Sequence, residues 1–339
     1  MNNKIKTISS LLCLLSVTQA NASYAPMTSI KNLGDQKFHI NAFKTETNSF
    51  KINETTGILK TSLTNINQKQ VMSNLSVIEN MQANAGSGLY FKQSRNNFNS
   101  IEENGVDTQG YQNTFSGKFS LDSEHSIVAT INEGKNSLEQ ITLLNGLVDE
   151  AETKSLGLSL AFNKKLDAYN IFAFIGKNWI SNDFDTLGKM SGEQMHLGLG
   201  ANYKTMFENL TFVPQVNIQK IKSSLKNTSE DFYMKGDNSQ TTATIGVRTN
   251  YRINNYFTFG ASVNYEKDIS ANNAEIINEN VENKFNSQEN FRSPNERYGV
   301  ALSLVYNPIE KMNVVMDFKH KINSNGNDKE FNVGVRYNF

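Results

Sequence analysis

The ten residues EFNVGVRYNF at positions 330–339 constrain the fold more than any other stretch of this sequence. Phe331, Val333, Val335, Tyr337 and Phe339 share one parity; Glu330, Asn332, Gly334, Arg336 and Asn338 share the other. Successive side chains on a strand point to opposite sides, so this segment has one wholly apolar face and one polar face. A soluble sandwich and a membrane barrel both use such a strand. They differ in what the remaining sequence must supply: a barrel needs many such strands of about 10 residues, in even number, on a secreted chain.

The beginning of the chain reads as secreted. Lys4 and Lys6 precede an apolar run from Ile8 to Val17, and Ala20-Asn21-Ala22 follows. This is a basic region, a core too short to span a bilayer, and an A-x-A cleavage site, so residues 1–22 are predicted to be a signal peptide exporting the chain through the Sec translocon. Ala20 and Ala22 flank the cut, and the mature chain is expected to start at Ser23. The only cysteine, Cys13, lies inside the apolar core and is followed by Leu14 and Leu15, which argues against a lipidated cysteine. Charge balances at 33 basic against 33 acidic residues; the signal carries two lysines and no acid, which leaves the remainder at about −2. Nothing in that balance points to nucleic acid.

After the signal no window approaches about 18 consecutive apolar residues, so a membrane-spanning helix is excluded. A closed barrel can still span, because its backbone groups are satisfied between strands. The hydrophobic fraction of 38% suits a barrel, one face of which stays polar.

Alternation recurs throughout. Apolar sets include Met312 to Phe318, Tyr298 to Tyr306, Phe257 to Tyr265, Ala243 to Tyr251, Phe212 to Ile218 and Met195 to Tyr203. Further strands are predicted near 87–95, 110–121, 125–135, 153–163 and 168–179, for a total of twelve. The register of the last of these is open, because Ile171 to Ile175 is apolar at both parities. The polar faces present His196, Lys204, Gln215, Arg248, Glu266, Arg297 and Arg336 as lumen-facing candidates, with Glu266 and Lys204 or Arg248 placed to contact whatever fills the lumen. Tyr203, Tyr251, Tyr265 and Tyr306 fall near strand ends, where an aromatic girdle would sit.

Connections separate barrel from sandwich. Tight links (DSE, KKLD, TMFEN, INN, NPIEK) alternate with longer segments near 96–109, 136–152, 180–191, 222–240 and 268–296. An outer-membrane barrel sorts its links in this way, with short periplasmic turns and long external loops. Ahead of the first strand, Leu63, Ile66, Val71, Leu75 and Ile78 recur at helical spacing without proline, and AGSG ends the pattern. Residues 61–84 would form a rod of roughly 35 Å, about the height of a bilayer. Its richness in Asn, Gln, Ser and Thr suits a polar lumen. Residues 23–57 are too few to bury a core of their own.

Chemistry is hard to find. His39, His125, His196 and His320 share no ligand spacing, no cysteine would remain to help, and neither G-x-S-x-G nor a glycine-rich phosphate loop occurs. The expectation is a protein without enzymatic activity, metal or cofactor.

A helix of pore length, twelve strands and a terminal Phe resemble the translocator domain of classical autotransporters, the type V secretion family. Local patterns carry the resemblance: NAGSGLYFKQ at the junction of helix and first strand, LTFVPQVNIQ with Pro214 and Gln215 in a middle strand, and FNVGVRYNF as closing strand. The resemblance implies a 12-stranded antiparallel outer-membrane barrel over 86–339, its lumen threaded by a linker helix over 58–85. A short segment, 23–57, would be displayed or exported at the surface of a Gram-negative bacterium. It further implies periplasmic chaperones and a barrel-assembly machinery that reads Val333, Val335, Tyr337 and Phe339, with outer-membrane lipid around the wall. Two features depart from the family pattern. Only about 35 residues precede the helix, and 61–84 contains no Asn-Asn pair of the kind at which some members cut. A small porin-like pore and an adhesive barrel acting through loops 222–240 and 268–296 are the alternatives.

Overall fold

The computed structural model describes residues 86–100, 108–142, 148–184, 188–227, 232–235, 238–272, 275–278, 296–323 and 326–339. The predicted signal peptide with Ala20 and Ala22, segment 23–57 and the 58–85 helix lie outside the described residues.

The elements are β1 (Gly88–Ser100), β2 (Thr108–Ser120), β3 (His125–Thr142), β4 (Val148–Leu166), β5 (Tyr169–Phe184), β6 (Gly188–Tyr203), β7 (Thr205–Phe207), β8 (Leu210–Asn227), β9 (Phe232–Lys235), β10 (Asn238–Arg252), β11 (Phe257–Asn272), β12 (Glu275–Asn278), β13 (Glu296–Ile309), β14 (Met312–Asn323) and β15 (Gly326–Asn338). Twelve of them, all but the short β7, β9 and β12, are the staves of one antiparallel sheet. Each pairs with its neighbour in the chain, β8 pairs with β10, and β1 pairs with β15 from Gly88↔Asn338 to Ser100↔Gly326. That last ladder closes the cylinder and leaves no free edge, the condition for a sheet to survive in hydrocarbon.

Alternation decides inside from outside. Phe91, Phe115, Ile131, Leu160, Leu199, Val216, Ile245, Val263 and Phe331 point outward and stay uncovered by protein. Their neighbours Lys92, Ser116, Asn132, Ser159, Asn217, Thr244 and Asn332 point inward and are buried. Tyr169 and Tyr203 meet at 4.8 Å between ring centroids, Phe257 and Tyr306 at 5.0 Å, and both pairs sit at the short-turn end; Tyr265 and Tyr298 meet at 5.2 Å towards the other. These rings mark the two borders of the apolar band.

The structure corrects the expected link lengths. A spanning strand needs only about 9–11 residues, yet β3 has 18 and β4 has 19. The segments read as loops at 136–152 and 180–191 are largely strand, and the links between staves shrink to 143–147 and 185–187. Within the loops expected at 222–240 and 268–296, β9 and β12 pair antiparallel from Glu275↔Lys235 to Asn278↔Phe232.

Pro214 shows how a central strand tolerates proline. On one side of β8 the partner changes from β6 to β7, with Asn202↔Gln215 and Thr205↔Phe212 the last pairs on either side of the break. Pro214 falls in that gap, where no ladder bond to β6 or β7 asks for its N–H.

The turn between β2 and β3 is pinned by Asp122. Its Oδ1 accepts from the backbone N–H of His125 (2.6 Å) and of Glu124 (2.8 Å), and its carboxylate faces His125 Nδ1 at 2.9 Å. Bonds to His125 and Glu124 hold the Asp122 carboxyl below the usual carboxylate range. Since folding depresses this pKa, the contribution is present above the unfolded value of about 3.9 and is lost as pH falls through the lower folded value. Hydrogen-exchange protection at Glu124 and His125 in detergent micelles is expected to hold down to about pH 4 and to decline below it. Asp122→Asn should remove that dependence, and equal pH profiles for both chains would refute it.

Candidate functional site: the polar lumen

The inward faces of the twelve staves form one continuous polar surface, and its charges are not spread evenly. From β2 to β8 the lining is mostly neutral. Ser116 Oγ and Thr130 Oγ1 are 2.9 Å apart, Asn178 Nδ2 donates to Gln194 Oε1 at 2.8 Å, and Asn170 Nδ2 donates to Asn202 Oδ1 at 2.9 Å. From β10 through β15 to β1 the lining is charged, with Arg248, Glu266, Asp268, Arg297, Asp317, Lys319, Lys321, Glu330, Arg336 and Lys92.

The best-organised charges surround Arg297, which is 2% exposed. Its Nε donates to Glu266 Oε2 at 2.9 Å, and its Nη2 and Nη1 grip Asp268 at 2.6 and 3.2 Å. Nη2 also donates to Thr242 Oγ1 at 3.3 Å, while Lys321 Nζ and Asn264 Nδ2 donate to Glu266 Oε1 at 2.9 and 3.0 Å. The fork geometry of guanidinium suits two carboxylates at once, which makes this a cross-strand clamp over β10, β11, β13 and β14 near the long-link end. Glu266 was read from sequence as a contact for the lumen's occupant together with Lys204 or Arg248. Among the described residues its partners belong to the wall: Arg297 of β13, Lys321 of β14 and Asn264 of its own strand.

A second cluster lies between β14, β15 and β1. Lys92 and Lys319 each stand 3.7 Å from Glu330 Oε1. Towards the short-turn end Arg336 stacks over the Tyr90 ring, 5.4 Å from its centroid.

Phe172 and Phe174 settle the open register of β5. Both point inward, 2% and 5% exposed, leaving Ile171, Ala173 and Ile175 outside. The reason lies on the next strand: Gly200 and Gly198 leave room for the rings, and a Cβ there would come within 2.4 Å of Phe172 Cζ and 2.3 Å of Phe174 Cζ. His196 borders this patch at 6.2 Å from Phe174, with Nε2 3.2 Å from Ser159 Oγ. That spacing would fit a nucleophile and its base, but among the described residues His196 Nδ1 meets no hydrogen-bond partner that would orient the ring. Among the described residues no group of three His, Cys, Asp or Glu could hold a metal ion.

Of the lumen candidates read from sequence, His196, Glu266, Arg297 and Arg336 are buried on the inner face, and Gln215 and Arg248 half-buried. Lys204 is the exception and a correction. It lies past the end of β6, exposed, with its backbone N–H donating to Ala168 O at 2.7 Å. Parity carried it inward on paper, but the strand has already broken there. Val333, Val335, Tyr337 and Phe339 all point outward. Lys92, Lys118, Asp317, Lys319 and Lys321 escaped the sequence reading, although parity on β1, β2 and β14 would have found them.

A closed, edge-free cylinder with an apolar outer band, two aromatic borders and a polar interior is a transmembrane β-barrel of the outer-membrane class. Residues 79–318 match the autotransporter beta-domain family, and the chain belongs to that family. It is an outer-membrane protein of the Gram-negative type, with a barrel of translocator architecture. Its fold is similar to the translocator domain of autotransporter NalP from Neisseria meningitidis, with 13% identity over 82% of this chain and 98% of that chain and a TM-score of 0.63. It is similar too to the transport unit of AIDA-I from Escherichia coli, with 14% identity, 75% and 90% coverage and a TM-score of 0.54. The beta domain of the Bordetella autotransporter BrkA gives 13% identity, 76% and 100% coverage and a TM-score of 0.52. No curated protein sequence matches.

Proposed function

We propose that this barrel is a translocator whose lumen is occupied by residues 58–85 as a helix, and that it carries or displays residues 23–57 at the cell surface. The observation that supports this reading is the state of the lumen lining. Lys92, Thr114, Ser116, Asn132, Asn178 and Gln194 are polar, face the interior and are wholly buried. Atoms such as Tyr90 Oη, Thr114 Oγ1, Asn178 Oδ1 and Asn217 Oδ1 have no hydrogen-bond partner among the described residues. Buried polar groups call for partners, and a polar segment in the lumen is the kind that can supply them. The helix read from 61–84, rich in amides and hydroxyls, has the length and the polarity for that role. The work is passage and display, with no covalent step and no cofactor. Assembly would run through the Sec translocon, periplasmic chaperones and a barrel-assembly machinery engaged by Val333, Val335, Tyr337 and Phe339.

Single-channel conductance in a planar bilayer tests this. The chain from Ser23 onward is expected to stay nearly closed, and the same chain lacking residues 58–84 to conduct at a level several-fold higher. Equal, open conductance in both would reject the threaded lumen and favour a porin-like pore.

A further inference from the structure

On the outer face of the barrel, at the long-link border of the apolar band, most cations stand beside acids. Lys135 and Lys154 share Glu152 at 2.6 and 2.9 Å, Lys177 meets Glu193 at 2.9 Å, and Lys267 meets Glu296 at 3.3 Å. Lys220 and Lys222 belong to the single strand β8. The seam where β1 closes on β15 differs, because there cations of adjoining strands meet with no acid among them. Arg95 on β1 and Lys329 on β15 are exposed on the outward face, and neither forms an ion pair among the described residues. Arg95 lies opposite Phe331, while Lys329 lies opposite Asn97 on one side and His320 on the other. Arg95 and Lys329 are therefore diagonal neighbours, about 7–8 Å apart, close enough for two long side chains to reach one small anion. Asp317, Asp328 and Glu330 on β14 and β15 have the inward parity, and β1 and β2 carry no acid. The first outward acids on either side are Glu133 on β3 and Glu296 on β13, the latter held by Lys267.

The surface below these cations has the outline of an amphiphile. Phe331 and Phe318 face one another across β15 and β14, 49% and 43% uncovered by protein, and the next outward pair is Val333 with Met316. Beside them Gln93 and Asn113 point outward one row deeper than Arg95, with Gln93 Nε2 donating to Asn113 Oδ1 at 3.3 Å. Amides at that depth are poorly matched to acyl chains and well matched to the hydroxyls of a sugar. The long links of such a barrel lie outside the cell, so this border meets the outer leaflet.

We propose that Arg95 and Lys329 bind the phosphate of a phosphorylated glycolipid of the outer leaflet, with its sugar against Gln93 and Asn113 and its acyl chains along Phe318 and Phe331. A guanidinium and an ammonium together suit a phosphate, the first as a fork and the second as a point charge. The two cations stand on the first and last staves, so a phosphate between them tightens the closing ladder from outside. The site rests on the outer-membrane class of the barrel and not on what fills the lumen. Phosphate free in solution is the competing source of the same chemistry.

The test refolds the chain from Ser23 into phosphatidylcholine vesicles with and without a diphosphorylated, acylated disaccharide. The temperature at which the closed barrel loses its compact mobility on gels is measured, together with the glycolipid retained after detergent extraction. The parent should gain several degrees from the glycolipid, as any ligand of the folded state stabilises it. Arg95→Gln/Lys329→Gln should lose that gain and bind about tenfold more weakly, whereas Lys135→Gln/Lys154→Gln, at the same border but on paired cations, should behave as the parent. The reading is the difference between the two vesicles, so a variant that merely folds less well does not imitate it; the single Gln variants serve if the double one does not insert. A full gain in Arg95→Gln/Lys329→Gln overturns the proposal, as does an equal loss in Lys135→Gln/Lys154→Gln, which would reduce the effect to surface charge. A full gain from the dephosphorylated disaccharide overturns it too. If inorganic phosphate reproduces the gain in pure phosphatidylcholine, the seam is a general anion site and the lipid assignment falls.

Discussion

Replacing Arg297 by methionine is expected to cost the folded barrel about 3–5 kcal/mol, because it strands buried carboxylates rather than removing a surface ion pair. Glu266 would keep Lys321 and Asn264, but Asp268 would lose both of its guanidinium bonds. Urea unfolding in lipid vesicles, followed by tryptophan emission from Trp179, measures the loss. Adding Glu266→Gln and Asp268→Asn to the Arg297→Met chain should recover a large part of it, since the charges that made the gap expensive are then gone. A loss below about 1 kcal/mol for Arg297→Met alone would mean that water reaches the clamp and screens it as it does at a surface.

The second large effect concerns which face meets lipid. Leu199 on β6 points outward midway along the apolar set from Met195 to Tyr203 and is 59% uncovered by protein. Leu199→Arg is expected to destabilise the vesicle-inserted barrel by about 2–4 kcal/mol, the range for a cation at the bilayer midplane. Ser262→Arg, which places the same charge on the inner face at a similar depth, should change stability little. In a soluble sandwich the difference would vanish, since neither site would border hydrocarbon. Equal losses at the two sites would therefore contradict the inside–outside assignment.

Much of this was legible because the strand period is two and lipid punishes exceptions. β15 and β13 could be read residue by residue, and the inward positions of Glu266, Arg297, Arg336 and His196 followed from parity alone. β5 could not, because Ile171 to Ile175 satisfies both faces; its register depends on Gly198 and Gly200, one strand away, where only the pairing exposes the vacant space. Lys204 was misplaced for a related reason, as parity says nothing about where a ladder stops, and the stop is marked by Pro214 on a different strand. The partners of Glu266 were out of reach too, since Arg297 and Lys321 lie 31 and 55 residues away along the chain. Strand length failed because hydrophobicity reports the bilayer, whereas β3 and β4 continue past it on backbone pairing.

The pairing of β9 with β12 has a practical consequence for anyone wishing to graft a peptide onto this barrel. β9 lies between β8 and β10, and β12 between β11 and β13, so two connections separated by the β10–β11 hairpin are sewn into one ribbon. A peptide inserted within Phe232–Lys235 or Glu275–Asn278 would break the ladder for both connections at once, so the two behave as a single insertion site.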